Sequence, residues 1–341
     1  MSVDNVTRAL QRLLDVWPTQ WPGLPFVFES CLLTLGGVPT GHLMTPRMAA
    51  LQGAGRQLAG QAEHMGRQMA QQDSEPRYHN RLHTGLALVS LTALLAAQRE
   101  PGDGKATTVS EIEYRLLLTM LSHDMGHPGG RNVFLEEIEK KSVALVQPVL
   151  MSNGVSEGDR EWICWAILQT DPRHVASAHA QAIQRPFQIE DDGWQCVLVQ
   201  EADVLASALP GIGDFLTTCL ADEWAFSGVA LANHLLSRAG RDAFLRNGAL
   251  FSSPASHQIG MPAFIAAQLA ESPSAPGARW SHRAAHRCSI GRERRNNWYI
   301  RYISQVAPGA RPTKASQRQP GRAAQRAKNA SAPLSSRPST P

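Results

Sequence analysis

Apolar residues recur at three- and four-residue intervals along most of this chain up to about residue 270, and no sustained apolar–polar alternation interrupts them. The first pattern turns one helix face toward a core, whereas a half-buried strand needs a period of two. Helix packing on helix is then the available architecture, and the expected fold is all-α. Ser110 followed by Glu113 forms a capping-box signature, after which Ile112, Leu116, Leu117, Met120 and Leu121 mark a buried face. Further helices are expected over residues 84–98, 160–169, 194–209, 214–225, 229–246 and 261–270. Asp171-Pro172 and Pro210-Gly211 serve as stops. Residues 17–48 hold several Pro and Gly and read as irregular, with another helix over 48–72.

Charge divides the chain unevenly. Of 33 Lys/Arg and 29 Asp/Glu, fourteen basic residues and the single acid Glu293 fall after residue 271. Residues 1–271 therefore carry 19 basic and 28 acidic side chains, a net of −9, and the remainder carries +13. The Arg/Ala/Ser/Pro/Gln-rich end cannot bury enough apolar surface to offset its ordering entropy, so disorder is expected over 272–341. Such an arm could attract polyanions, or carry no selected role, its bias matching a shifted reading frame in GC-rich DNA. The expected organisation is a partly helical lead-in at 1–74, a helical domain at 75–271 and the basic tail. The acidic body gives no reason to expect nucleic acid as a partner.

Five cysteines, at 31, 164, 196, 219 and 288, show no C-x-x-C spacing and do not read as a disulfide framework. The first residues lack a basic segment followed by an apolar core, so no secretory signal is read there. LALVSLTALLAA at 86–97 is too short to span a bilayer. A soluble protein in a reducing, cytoplasmic setting is the expectation, with no membrane partner.

Three stretches could carry chemistry. YHNRLH at 78–83 spaces His79 and His83 four apart, one turn above the other if both are helical, although such pairs also occur on ordinary exposed faces. LSHDMGHPGGRN at 121–132 gathers His123, Asp124 and His127 directly after an apolar run. Burying them without partners or a metal would be costly, and Pro128-Gly129-Gly130 is expected to end the helix so that neighbouring residues face one point. QEADVLASALPG at 200–211 places Asp203 among Val197, Leu198, Val204 and Leu205, where it is either paired or a ligand. Together His83, His123, Asp124 and Asp203 make two imidazoles and two carboxylates, a set suited to zinc, manganese, iron or magnesium.

H-N-x-x-H, then H-D-x-x-H-P-G-x-x-N, then a helix bearing A-D resembles the metal-dependent HD-domain phosphohydrolases, specifically the catalytic domain of class I 3′,5′-cyclic-nucleotide phosphodiesterases. ILQTDPRH at 167–174 is similar to that family's T-D-x-x-H segment, and HQIGMPAFI at 257–265 to its Q-x-G-F run. The similarity spans about residues 75–268. It implies an HD-type helical bundle with two divalent cations, Zn²⁺ with Mg²⁺ or Mn²⁺, or Fe. His83, His123, Asp124 and Asp203 would hold the first, and Asp124 would be shared with the second. His79 would be the general acid, His127 and Asn132 would support the ligands, and Gln258 and Met261 would meet the base. Met261 stands where the family has an aromatic, and the family's S-V-L-E run gives way to FLEEIEKKSV. There Glu136, Glu137 and Glu139 are either supporting carboxylates or a solvated helix face.

The implied activity is hydrolysis of a 3′,5′-cyclic nucleotide, cyclic AMP or cyclic GMP, to the 5′-monophosphate. Alternatives are an HD-type phosphomonoesterase or nucleotidase, or a non-catalytic nucleotide sensor on the same fold.

Overall fold

The computed structural model describes residues 1–99, 108–229 and 231–270; the expected disordered tail lies outside the described residues. Fourteen α-helices and no strand occur among them. In chain order these are α1 (Val3–Val16), α2 (Leu24–Thr34), α3 (Pro46–Gln71), α4 (Arg81–Gln98), α5 (Glu111–Ser122), α6 (Glu137–Ser152) and α7 (Glu157–Leu168). There follow α8 (Pro172–Ala182), α9 (Asp192–Ala208), α10 (Ile212–Phe226), α11 (Ala232–Leu235), α12 (Arg238–Asn247), α13 (Pro254–Ile259) and α14 (Met261–Ala270). The fold is all-α.

The centre of the packing is α4. From Leu82 to Leu95 every one of its side chains is buried, which a helix tolerates only when neighbours cover it on all sides. Those neighbours are α1, α2, α5, α9 and α13, with a smaller contact from α3. The Ser110–Glu113 capping box is present at the start of α5, each side chain satisfying the other residue's backbone N–H.

Residues 1–74 join the same core. Leu10 of α1, Phe28 and Leu32 of α2, and Leu51 and Leu58 of α3 pack in one cluster with Leu86, Leu94 and Leu117. The irregular stretch read over 17–48 is corrected in part, because α2 lies inside it. Gly23 and Pro25 stand at the start of α2, where a missing backbone N–H costs nothing, and Gly36 and Gly37 follow its end with positive φ. Pro and Gly here punctuate a helix without forbidding one.

Among the described residues, no single helix is long and apolar enough to cross a membrane. Cys31, Cys164, Cys196 and Cys219 are free thiols.

Candidate metal centre

Three helices end or pass at one place. His83 sits in the first turn of α4, His123 and Asp124 directly follow α5, and Asp203 lies within α9. His83 Nε2 is 3.0 Å from Asp203 Oδ1 and 3.2 Å from Asp124 Oδ2. His123 Nε2 is 3.4 Å from Asp203 Oδ1 and 3.1 Å from Asp124 Oδ2. The ligand atoms of His83, His123 and Asp203 all lie within 4.8 Å of one another. The imidazoles are buried, whereas the side chains of Asp124 and Asp203 keep 15% and 24% exposure, so the carboxylates form the accessible side.

The donor set fits a cation. Both Nε2 atoms are buried and make no hydrogen bond of acceptable geometry, despite carboxylate oxygens at hydrogen-bond distance. Neither Nε2 is aimed at one of these oxygens. Atoms sharing an ion at about 2.1 Å stand roughly 3.0 Å apart at right angles and ~3.4 Å apart at tetrahedral angles. The four observed separations run from 3.0 to 3.4 Å. His123 Nδ1 lies 2.8 Å from the Met120 carbonyl, which can only accept, so a neutral ring carries its proton on Nδ1 and has the Nε2 lone pair to offer a cation.

Electrostatics agree with that arrangement. Burial disfavours charge on His83 and His123, yet the adjacent carboxylates outweigh it, lifting His83 to about 9 and His123 well above its ordinary value. Burial alone would raise Asp124 and Asp203, but the imidazoles hold both well below the usual carboxylate range. Two carboxylates here demand positive charge, which protons supply when a metal does not.

A second constellation adjoins the first. His79 Nδ1 is 2.6 Å from Glu223 Oε1 on α10, and the His79 ring stacks on His127 with centroids 3.7 Å apart. Glu223 also accepts from the backbone N–H groups of Tyr78, His79 and Gly130. The ring nitrogen Nδ1 of His127 accepts from Gly129 N–H, and burial together with the charge of His79 pulls His127 down to about 3. The Tyr78 ring lies 4.7 Å from both His79 and His83, and its hydroxyl meets Ser207 Oγ at 2.9 Å.

Two local expectations are corrected. His79 and His83 do not share a helix: Asn80 is the N-cap of α4, accepting from Leu82 and His83 N–H, and His79 precedes it. The rings still approach to 5.7 Å because the chain bends at the cap. Pro128-Gly129-Gly130 does not end α5, which stops at Ser122. Gly126, at φ +74°, makes the first left-handed turn, and His127 N–H closes it on the Asp124 carbonyl.

Asn132 joins two acids behind the site. Its Nδ2 donates to both oxygens of Glu139 and to Asp171 Oδ2, while its Oδ1 accepts from Ile138 N–H. Glu139 is buried, so the solvated-face reading fails for it, and burial reinforced by the charge of Asp171 and Asp124 pushes its pKa up. Asp171 caps α8 and pairs with Arg173; burial opposes its charge, but these partners lower it to about 2. Glu136 meets His174 at 2.8 Å.

The two expected base contacts differ in surroundings. Gln258 is exposed on α13, whereas Met261 is fully buried in the core and offers a ligand no surface. Sequence reasoning missed Glu223, one of three acids on α10 and beside Asp222, with no motif around it. No family model, curated protein or solved structure matches this chain.

Proposed function

We propose that this chain is a metal-dependent phosphohydrolase of the HD-domain class, hydrolysing a 3′,5′-cyclic nucleotide to its 5′-monophosphate. The observation supporting this is the meeting of two buried imidazoles and two carboxylates beside a third histidine oriented by Glu223. His83, His123, Asp124 and Asp203 would hold one divalent cation, with Asp124 shared by a second; Zn²⁺ with Mg²⁺ or Mn²⁺, or Fe, suits mixed nitrogen and oxygen donors. When bound, such cations lower the pKa of a water and draw charge from phosphoryl oxygens.

The remaining work falls to the protein's own side chains. Glu223 holds Nδ1 of His79, leaving Nε2 to give its proton to the departing 3′-oxygen. Phosphorus gains a bond to the water oxygen and loses its bond to O3′; the proton lost by the water leaves to solvent, and the proton from His79 ends on O3′. The stacked ring of His127 limits rotation of His79, and its depressed basicity keeps His127 itself neutral.

Hydrolysis of cyclic AMP and cyclic GMP with added Mg²⁺, Mn²⁺ or Zn²⁺ tests the proposal. Metal-dependent turnover that disappears in Asp124→Ala is expected; no turnover, or full turnover in the variant, overturns it. The burial of Met261 favours a second reading, a phosphomonoesterase on the same site. Release of inorganic phosphate from nucleoside monophosphates would distinguish it.

A further inference from the structure

The loop carrying His79 is clasped at its ends and then tied to the N-terminal helices through one buried carboxylate. Arg81 Nε and Nη2 donate to Glu75 Oε1 and Oε2 at 2.8 and 2.9 Å, closing the segment 75–81. Within it, Asn80 Nδ2 donates to the carbonyls of Pro76 and Arg77 at 3.1 and 2.9 Å. Arg81 Nη1 then reaches Glu63 Oε1 on α3 at 2.9 Å.

Glu63 is only 6% exposed, and Arg81 is not its sole partner. It also accepts from Arg67 Nε at 2.7 Å, the Trp21 indole N–H at 3.0 Å and the Leu24 backbone N–H at 2.8 Å. Four donors from three chain segments, α3 itself, residues 21–24 and the start of α4, thus meet on one carboxylate, and none of these partners is a candidate metal ligand. Gly66 of α3 leaves room for the guanidinium arm: a Cβ there would fall 2.5 Å from Arg81 Cδ and 2.8 Å from Nε. An exposed ion pair would position little, but a buried, fully donated carboxylate holds its partners in one geometry.

We propose that Glu63 is a positioning residue for His79, fixing through Arg81 the loop that presents the imidazole to the scissile ester; this rests on His79 being the general acid. Displacement of a catalytic group by about 1 Å costs on the order of 10²-fold in rate. The loss falls on substrates whose leaving group needs a proton.

The test compares two substrates in the full-length, metal-loaded protein. A cyclic nucleotide expels an alkoxide that requires the acid, whereas bis(4-nitrophenyl) phosphate expels a nitrophenolate that does not. Glu63→Gln retains an acceptor for Trp21 and Leu24 but removes the charge facing Arg81. Its kcat for the cyclic nucleotide is expected to fall about 10- to 100-fold while bis(4-nitrophenyl) phosphate turnover stays within about twofold. Bound metal should be unchanged. Gly66→Ala, which drives Arg81 from its seat, should give the same split and carries the test if Glu63→Gln does not fold. Equal loss on both substrates in folded protein, or no loss on either, overturns the positioning role. A wild-type chain that turns over neither substrate overturns the hydrolase reading, and the positioning role with it.

Discussion

Glu223 Oε1 lies 2.6 Å from His79 Nδ1, and the same carboxylate gathers the backbone N–H groups of Tyr78, His79 and Gly130. One side chain of α10 therefore joins the H-N motif to the loop that follows the H-D motif. Burial would push its pKa up, but these donors reverse the sign and bring Glu223 down to about 2 from an ordinary 4.5. A carboxylate held this way stays ionised wherever the protein is folded and near neutral.

The depressed value carries a stability signature. A group whose folded pKa lies below its unfolded one contributes stability that is complete above the unfolded value and lost as pH falls through the folded value. For Glu223 the window runs from about 4.5 down to about 2. Chemical denaturation at pH 6 and at pH 3 should show a larger acid loss in wild type than in Glu223→Gln. Identical losses would mean that folding does not lower the pKa of this carboxyl.

Asp203 gives the sharpest test of the metal centre, because it contributes from α9 while the other donors come from α4 and the turn that follows α5. Adding Zn²⁺ or Mn²⁺ at about 100 times its dissociation constant should stabilise the wild type by about 2.7 kcal/mol, raising Tm by roughly 5–10 °C. Asp203→Ala should abolish most of that shift. A thermal scan showing equal metal response in both proteins would remove Asp203 from the ligand set.

What could be read in advance divides along physical lines. The apolar run ending at Leu121 and the capping box at Ser110 are local signals, and α5 formed where they placed it. His83, His123, Asp124 and Asp203 stood out because polar groups among apolar neighbours need a reason, and the helices bring them together. The bend at Asn80 was not legible, since an asparagine can cap a helix or ride on it, and only packing decides. Glu223 and Glu63 gave no signal at all. Each is an acid on a partly polar helix, and its importance arises from donors supplied by distant segments. Glu139 was ambiguous for the same reason until burial beside Asn132 resolved it.

Asn132 separates two acids that would otherwise face each other. Replacing it with Ala removes the donor shared by Glu139 and Asp171 and strands the Ile138 N–H. Leaving such buried groups unsatisfied costs about 1–3 kcal/mol each. Equilibrium unfolding of Asn132→Ala should show a loss on that scale, smaller at pH 4 than at pH 7. Glu139, whose pKa is already pushed up by burial, takes a proton first as pH falls, and this relieves the repulsion from Asp171.

Gln258 and Met261 are neighbours in sequence with opposite exposure, and the contrast separates recognition from packing. Met261 is fully buried among core residues, so Met261→Ala should cost about 2–5 kcal/mol through the cavity it leaves. Its effect on base preference should be small, because no surface of the thioether reaches a ligand. Gln258 is exposed, and Gln258→Ala should leave stability within about 0.5 kcal/mol. If its amide meets the base, the same change raises KM for a cyclic nucleotide while kcat holds, the mark of an interaction made equally in ground and transition states. A variant with unchanged KM toward both cyclic AMP and cyclic GMP would show that the base is held by other residues.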